Sequence, residues 1–276
     1  MGDNLQDCLG LVLRFSRELE NGDVVFPTST AVSARLLAAL NDPDMHLQQA
    51  ARIIQTEPLV ATRIISLANS AMAAGARQLA DVPSALLRVG LNAARVVALL
   101  VVTKQLLRAP ALHSHKALAA ELWQRSAYLA ALCRVIAMRM TRVNPDEALY
   151  AGLAHNLGQF YLLSRAAEKP EMLEQSKLFA KLLYGYPAII TRPLLTKLQI
   201  PTRIIEAVTI QGRAAAIPPQ NLYDVVALAR LLTPQAGPGS EPAVADAAEF
   251  SEIEVIRDCI ASAGEDLDGT LRMLHA

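Results

Sequence analysis

The sequence Ala-Gly-Leu-Ala-His-Asn-Leu-Gly-Gln-Phe-Tyr-Leu-Leu, residues 151–163, decides the fold and the chemistry of this chain. It continues an apolar helical pattern that begins at Asn144, a suitable N-cap, and Pro145, a suitable first helical residue. The pattern predicts one helix with His155 and Asn156 side by side. A histidine beside a carboxylate would begin a divalent-metal site, but this neighbour is a neutral amide. Any further ligands must come from elsewhere in the chain.

The composition around this stretch predicts an all-α protein. Of the 276 residues, 53% are hydrophobic and only 4% are aromatic, so the core is aliphatic and rich in the helix formers alanine and leucine. Patterns typical of β-strands are almost absent. The chain carries 26 basic and 26 acidic residues, and this balance argues against a general nucleic-acid binder, which usually has a basic surplus.

Neither a membrane span nor a disulfide framework is predicted. The apolar run 96–102 is short against the roughly 20 residues that cross a bilayer. The N-terminus lacks the basic-then-apolar pattern of a signal peptide. Cys8, Cys133 and Cys259 lie far apart without C-x-x-C spacing. These features predict a reduced, cytoplasmic protein without membrane insertion.

Hydrophobic periodicity and helix-breaking residues predict a series of helices joined by short turns. The predicted helices span about 5–19, 32–40, 47–55, 57–70, 82–90, 91–107, 116–140, 144–163, 170–184, 188–198, 201–211, 221–232 and 249–263, with a short helical tail. The predicted divisions are an N-terminal helix (1–25), a helical lobe (26–110), a second lobe (111–233), and a loop with a C-terminal helix (234–276). Ala109-Pro110 is the predicted boundary between the lobes, and Pro234 to Pro242 a surface loop.

Two pairs of stretches resemble the bacterial HDOD domain, a relative of the HD-domain phosphohydrolases. The first pair is R-I-I-S-L-A-N-S-A-M at 63–72 and V-P-S-A-L-L-R-V-G-L-N-A-A-R-V-V-A-L at 82–99. The second is L-W-Q-R-S at 122–126 and N-P-D-E-A-L-Y-A-G-L-A-H-N-L-G-Q-F-Y-L-L at 144–163. With an F-P-T-S opening at Phe26, the resemblance extends to about residue 232. It implies a multi-helix fold in which an N-terminal helical lobe packs on an HD-like lobe.

The resemblance also implies that a metal site has been lost. HD hydrolases bind metal through a first His, a His-Asp pair and a distal Asp, and the metal activates water. The matching positions here hold Arg125, His155 with Asn156, and Arg230, and auxiliary family histidines fall near Pro187 and near Gln211 and Gly212. An unpaired guanidinium repels a cation, so we expect neither a bound metal or other cofactor nor hydrolysis by a metal-bound hydroxide.

Each of these residues has an ordinary structural interpretation beside the functional one. His155 is either a core histidine bonded to a backbone carbonyl or part of a ligand-sensing site. Arg125 and Arg230 are either surface arginines or converge beside His155, where they would bind an anion or an internal carboxylate. The only tryptophan, Trp123, is expected in the core.

Further motif residues are expected to serve structure. Asn69 and Ser70 belong to the family motif, and at a helix C-terminus their side chains could satisfy loose backbone groups. His113 and His115 form an H-x-H pattern that lacks further metal ligands nearby.

Three functions follow as hypotheses. The first is a non-catalytic regulatory domain of bacterial signal transduction that binds a protein partner, with homo-oligomerisation left open. The second is a metal-dependent phosphohydrolase or cyclic-dinucleotide phosphodiesterase of HD type. The third is a module that senses a nucleotide or another anion through its arginines.

Overall fold

The protein is helical throughout the part that the structure describes. This computed structural model describes residues 2–21, 26, 28–70, 78–167, 187–210, 212–234 and 247–275. Its α-helices are α1 (Gly2–Glu20), α2 (Thr28–Leu40), α3 (Leu47–Ile54), α4 (Pro58–Ser70), α5 (Val82–Leu107), α6 (Lys116–Met140), α7 (Pro145–His155), α8 (Leu157–Ala166), α9 (Pro187–Lys197), α10 (Thr202–Thr209), α11 (Leu222–Leu232), α12 (Ala247–Ser262) and α13 (Gly264–His275). A 3₁₀ helix, Pro110–His115, joins α5 to α6. The all-α prediction is confirmed.

Side-chain caps fix where several of these helices begin. The Asn144 carboxamide oxygen accepts hydrogen bonds from the backbone N–H groups of Asp146 and Glu147, as the sequence predicted. Asp81 caps α5 and Asn221 caps α11 in the same way. A cap satisfies backbone donors that the first helical turn leaves unpaired, so these polar residues define the start of each helix.

Helix α5 is the central helix of the N-terminal half. It bends at Gly90, whose φ of 80° lies in the left-handed region, so the sequence prediction of two helices meeting at Gly90 is confirmed. By length and composition, α5 is the one described helix that could cross a membrane. However, most of its residues from Ala94 to Leu106 are buried, and α2, α3, α4, α7 and α8 pack against it. These contacts identify α5 as a core helix.

Helices α6 and α7 approach each other closely because α7 carries a glycine at their contact. A Cβ atom added to Gly152 would lie 2.6 Å from the Ala130 Cα and 3.1 Å from the Cys133 Sγ of α6. Gly158 likewise allows α8 to lie close to α9, because an added Cβ would overlap the Oγ1 and the backbone of Thr191. The two glycines thus set the distances from the 151–163 stretch to its neighbours.

The prediction of one continuous helix over 144–163 is wrong. Helix α7 ends at His155, and Asn156 leaves the helical conformation with φ −97° and ψ 2°. The Asn156 side chain is drawn into a hydrogen bond with Ser126 of α6. The backbone carbonyl oxygen of Asn156 accepts hydrogen bonds from the N–H groups of Gln159 and Phe160, and these bonds start α8. The polar side chain competes with regular helix, and tertiary contact decides the outcome.

The predicted helix over 170–184 and most of the predicted loop over 234–242 lie outside the described residues. Helix α9 begins at Pro187, one residue before the start of the helix predicted over about 188–198. The division into lobes near residue 110 stays a prediction, since buried side chains on both sides of that point form one continuous core.

We predict that Gly152→Ala destabilises the protein by about 1–3 kcal/mol, because its methyl group would overlap the backbone of α6. Gly10→Ala is the matched control. Gly10 is helical and has nothing within 4 Å of an added Cβ, so the same change should stabilise by about 0.5–1 kcal/mol. Urea unfolding measures both variants, and equal effects would contradict the close approach of α6 and α7.

Candidate functional site

His155 is the last residue of α7, and its imidazole faces α10. The residue is half-buried, and its Nδ1 lies 3.3 Å from the carbonyl oxygen of Val208. A carbonyl oxygen can only accept, so this hydrogen bond places the proton on Nδ1 and leaves Nε2 unprotonated. The prediction of a histidine bonded to a backbone carbonyl agrees with this geometry.

The surroundings of His155 hold the ring in its neutral form. Burial, followed by the charge of Arg230, lowers the pKa of His155 from 6.5 to about 3. The bond to Val208 acts in the opposite direction, and the charge of Arg125 lowers the pKa further. The imidazole is therefore uncharged at neutral pH, and the positive charge beside it belongs to the two arginines.

Arg125 and Arg230 come from α6 and α11, two helices that pack against each other. Arg125 is half-buried. Arg230 is exposed as a whole residue, yet surrounding atoms desolvate its guanidinium and lower its pKa, and the charge of Arg125 lowers that pKa further. The structure thus brings both arginines within electrostatic range of His155 and of each other.

Asn156 belongs to a buried chain of hydrogen bonds rather than to this charged group. Its Nδ2 donates to the Ser126 Oγ over 2.8 Å, and the Ser126 hydroxyl donates to the Leu122 carbonyl oxygen over 2.8 Å. The serine's only proton is used for Leu122, so it can serve Asn156 only as an acceptor. A carboxylate at position 156 would have no proton to donate. The local bonding therefore requires the amide that the sequence shows.

These residues do not fit a divalent metal. A cation near Nε2 of His155 would meet the repulsion of two guanidinium groups. The amide of Asn156, whose Nδ2 donates to Ser126, supplies no negative charge to offset that repulsion. Within the described ranges, no group of three or more His, Cys, Asp and Glu side chains could hold a metal ion. The same charges would attract an anion, since guanidinium groups pair well with phosphate and carboxylate oxygens.

Other predicted site residues lie apart from His155 or outside the described residues. Asn69 of α4 bonds to the backbone of Leu79: its Nδ2 donates to the Leu79 carbonyl oxygen and its Oδ1 accepts from the Leu79 N–H. Ser70 donates to the carbonyl oxygen of Leu67. The Ser70 bond is of the kind expected at a helix C-terminus, and the two Asn69 bonds satisfy backbone groups of Leu79, ahead of α5. Gln211 lies outside the described residues.

Trp123 is half-buried and packs against the core, with its ring centroid 6.5 Å from that of Phe160. His113 and His115 lie on the 3₁₀ helix.

Sequence reasoning missed Ser126 and Val208 as partners of the site. Ser126 was visible as the last residue of L-W-Q-R-S, one helical turn after Leu122. Its role depends on the close packing of α6 and α7, which no local pattern encodes. Val208 contributes only a backbone carbonyl, and a side-chain pattern cannot indicate that.

Comparison with known proteins identifies relatives across most of the chain. The sequence model of the HDOD domain matches residues 26–211. A crystal structure from Shewanella amazonensis, named a "putative metal-dependent phosphohydrolase", is 24% identical, with a TM-score of 0.65, and the match covers 100% of this chain and 98% of that one. An HDOD domain protein of unknown function from Geobacter sulfurreducens is 18% identical, with a TM-score of 0.61 and coverage of 96% and 98%. These structures share the fold. No curated protein sequence matches.

We predict that Arg230→Gln raises the pKa of His155 toward 6.5, because a positive charge that opposes protonation is removed. The pKa is measured by NMR titration of the imidazole in isotope-labelled protein. Arg142→Gln, a charge removal at an exposed residue between α6 and α7, is the control and should leave it unchanged. An unchanged pKa in Arg230→Gln would show that Arg230 does not act on the ring.

Proposed function

Because the chain belongs to the HDOD domain family, we propose that it is a non-catalytic regulatory protein of bacterial signalling that acts by binding a protein partner. One observation carries this proposal: two guanidinium groups act electrostatically on His155, where a hydrolytic metal would need anionic ligands. The positive charge of the two arginines opposes the binding of a metal cation, and without the metal there is no metal-activated water for hydrolysis. What remains is a stable helical body with a surface available for contacts.

An exposed apolar side chain offers a place for such a contact. Leu87, on the part of α5 before the bend at Gly90, is 72% exposed, more than any other large hydrophobic residue described. Apolar side chains contribute most to protein association when a partner removes them from water. We place the partner on this face of α5, with a second copy of the chain as one candidate, and we place the protein in the cytoplasm.

The first test asks whether the protein hydrolyses phosphate esters. Purified protein is assayed with Mg²⁺, Mn²⁺ or Fe²⁺ against phosphomonoesters and cyclic dinucleotides. We expect no turnover above that of His155→Gln, a variant whose amide can still donate to the Val208 carbonyl. Metal-dependent turnover that disappears in His155→Gln would contradict the proposal and favour a phosphohydrolase or cyclic-dinucleotide phosphodiesterase.

The second test locates the partner. A photo-crosslinking amino acid is placed at Leu87 or, as the control, at Val255 of α12, which is 64% exposed. In bacterial cells that express the protein, we expect a defined crosslinked product from position 87 and none from position 255. The product should disappear when Arg88 is changed to glutamate, since a charge reversal beside Leu87 would disturb the contact. The same pattern of products from both positions would contradict the proposed face.

The charges around His155 also favour a second candidate, an anion-sensing module. The charge of Arg125 contributes to lowering the pKa of Arg230, and a bound phosphate would attract both guanidinium groups. A bound anion would then change the affinity of the protein for its partner, and one protein would have both functions.

For this candidate we expect nucleotides at about 100 times their Kd to raise the melting temperature by roughly 5 °C. Arg230→Gln should abolish most of that rise. Arg142→Gln again serves as the control and should keep it. A rise of equal size in all three proteins, or no rise in the wild type, would contradict an anion site beside His155.

A further inference from the structure

Helix α13 lies along α6, and three side-chain contacts join the two helices. The pairs are Trp123 with His275, Arg134 with Thr270, and Arg139 with Asp266. In the first pair the indole N–H donates to the imidazole Nδ1 over 3.3 Å, and in the second the guanidinium donates to the threonine hydroxyl over 3.3 Å. The third is an ion pair. Because the partners rise in number along α6 as they fall along α13, the two helices run in opposite directions.

The last turn of α13 covers the only tryptophan of the chain. The imidazole of His275 meets the Trp123 ring edge-on, with the ring centroids 6.0 Å apart. Lys104 of α5 places its Nζ 5.5 Å from the centre of the same ring and donates to the backbone carbonyl oxygen of His275 over 3.2 Å. This turn of α13 is therefore fixed on an aromatic side chain of α6.

Helix α13 presents an amphipathic face to the rest of the protein. Leu267, Leu271 and Leu274 recur with the i, i+4, i+7 spacing of one helical face. Leu274 is fully buried, and the other two leucines are half-buried against the core. Apolar anchors at this spacing are also the means by which a helix of one protein binds in a groove of another. The contact between α13 and α6 thus has the form of a helix–groove interface.

Few contacts hold α13 in comparison with the core helices. Two of its twelve residues, Thr270 and Leu274, are buried, whereas nine of the ten residues of α8 are buried. The side chains of Arg139 and Asp266 are 48% and 34% exposed, so water and salt weaken their attraction. An element with few buried apolar contacts and exposed polar bonds opens locally before the core unfolds. We therefore expect α13 to leave α6 while the other helices stay folded.

The α6 face, formed by Trp123, Arg134 and Arg139, carries residue types that dominate protein-binding surfaces. Tryptophan and arginine are enriched at binding hot spots, and all three of these side chains contact α13. Arg134 is also held in place by Asp146 of α7, whose carboxylate lies 3.6 Å from the guanidinium. Arg139 contacts the first turn of α13, which is acidic. The α6 face therefore favours a helix that carries negative charge at its beginning.

We propose that α13 is an autoinhibitory helix, and that the α6 face binds an amphipathic helix of a partner protein once α13 has left it. The partner helix would have an acidic first turn and leucines at i, i+4 and i+7, as α13 has. Because the partner helix and α13 compete for one face, the apparent affinity for the partner is scaled by the fraction of molecules in which α13 has left. The α6 face and Leu87 lie on different helices, so this inference does not depend on the contact proposed at Leu87.

Hydrogen exchange measures whether α13 opens on its own. In the wild type we expect the amides of α13 to exchange at least about tenfold faster than those of α8. Leu274→Ala removes the fully buried anchor and should speed exchange in α13 by about a further tenfold, while α8 keeps its protection. Leu59→Ala, the same change at an exposed leucine of α4, is the control and should affect neither helix. Equal protection of α13 and α8 in the wild type, or loss of both in Leu274→Ala, would overturn the proposal.

A peptide with the sequence of residues 263–275 stands in for the partner helix. Its binding to purified protein is measured through the fluorescence anisotropy of a dye attached to the peptide. We expect saturable one-to-one binding to Leu274→Ala, with an affinity at least about tenfold higher than for the wild type, in which α13 competes. The absence of saturable binding to Leu274→Ala, or an equal affinity for both proteins, would contradict competition for the α6 face.

Charge reversal tests whether the peptide binds at the α6 face. Added to Leu274→Ala, Arg139→Glu should weaken peptide binding by about fivefold, and a peptide carrying Asp266→Lys should restore most of the affinity. Arg52→Glu on α3, the same change at an exposed residue, is the control and should keep the affinity. Equal weakening by both changes, or no recovery with the reversed peptide, would place the binding elsewhere and overturn the proposal.

Discussion

The close approach of α6 and α7 at Gly152 is the constraint on which the site depends. With no side chain at that position, the backbone of α7 packs directly on Ala130 and Cys133 of α6. That distance brings Asn156 within 2.8 Å of the Ser126 hydroxyl. The resulting bond draws Asn156 out of the helical conformation and ends α7 at His155. Helix packing, rather than the propensity of residues 151–163, therefore determines where the imidazole lies.

The chemistry of the site follows from the sign of the charges around this imidazole. Burial and two arginines keep His155 neutral, and its Nδ1 proton is directed to the Val208 carbonyl oxygen. A neutral imidazole is an ordinary metal ligand, so the histidine alone would not oppose a cation. The opposition comes from Arg125 and Arg230. The amide of Asn156 adds no negative charge. Its hydrogen bond to Ser126 explains on structural grounds why an amide stands at this position.

Much of the fold could be predicted from the sequence because local signals determine it. The Asn144 cap, the bend at Gly90 and most helix boundaries depend on neighbouring residues and were predicted. The break at Asn156 could not be, because it depends on a hydrogen bond to a residue thirty positions earlier. The proximity of Arg125 and Arg230 to His155 could be stated only as a hypothesis from the family resemblance. The contacts of Lys104 with Trp123 and with the carbonyl oxygen of His275 could not be predicted either, because they join distant segments of the chain.

The central claim is that positive charge has replaced the metal site of related hydrolases around His155. Anomalous X-ray scattering tests this claim most directly, on crystals grown with excess Mn²⁺ and measured on both sides of the manganese edge. The account predicts no anomalous peak within coordination distance of His155. A well-occupied peak bound there by His155 and other side chains would contradict it.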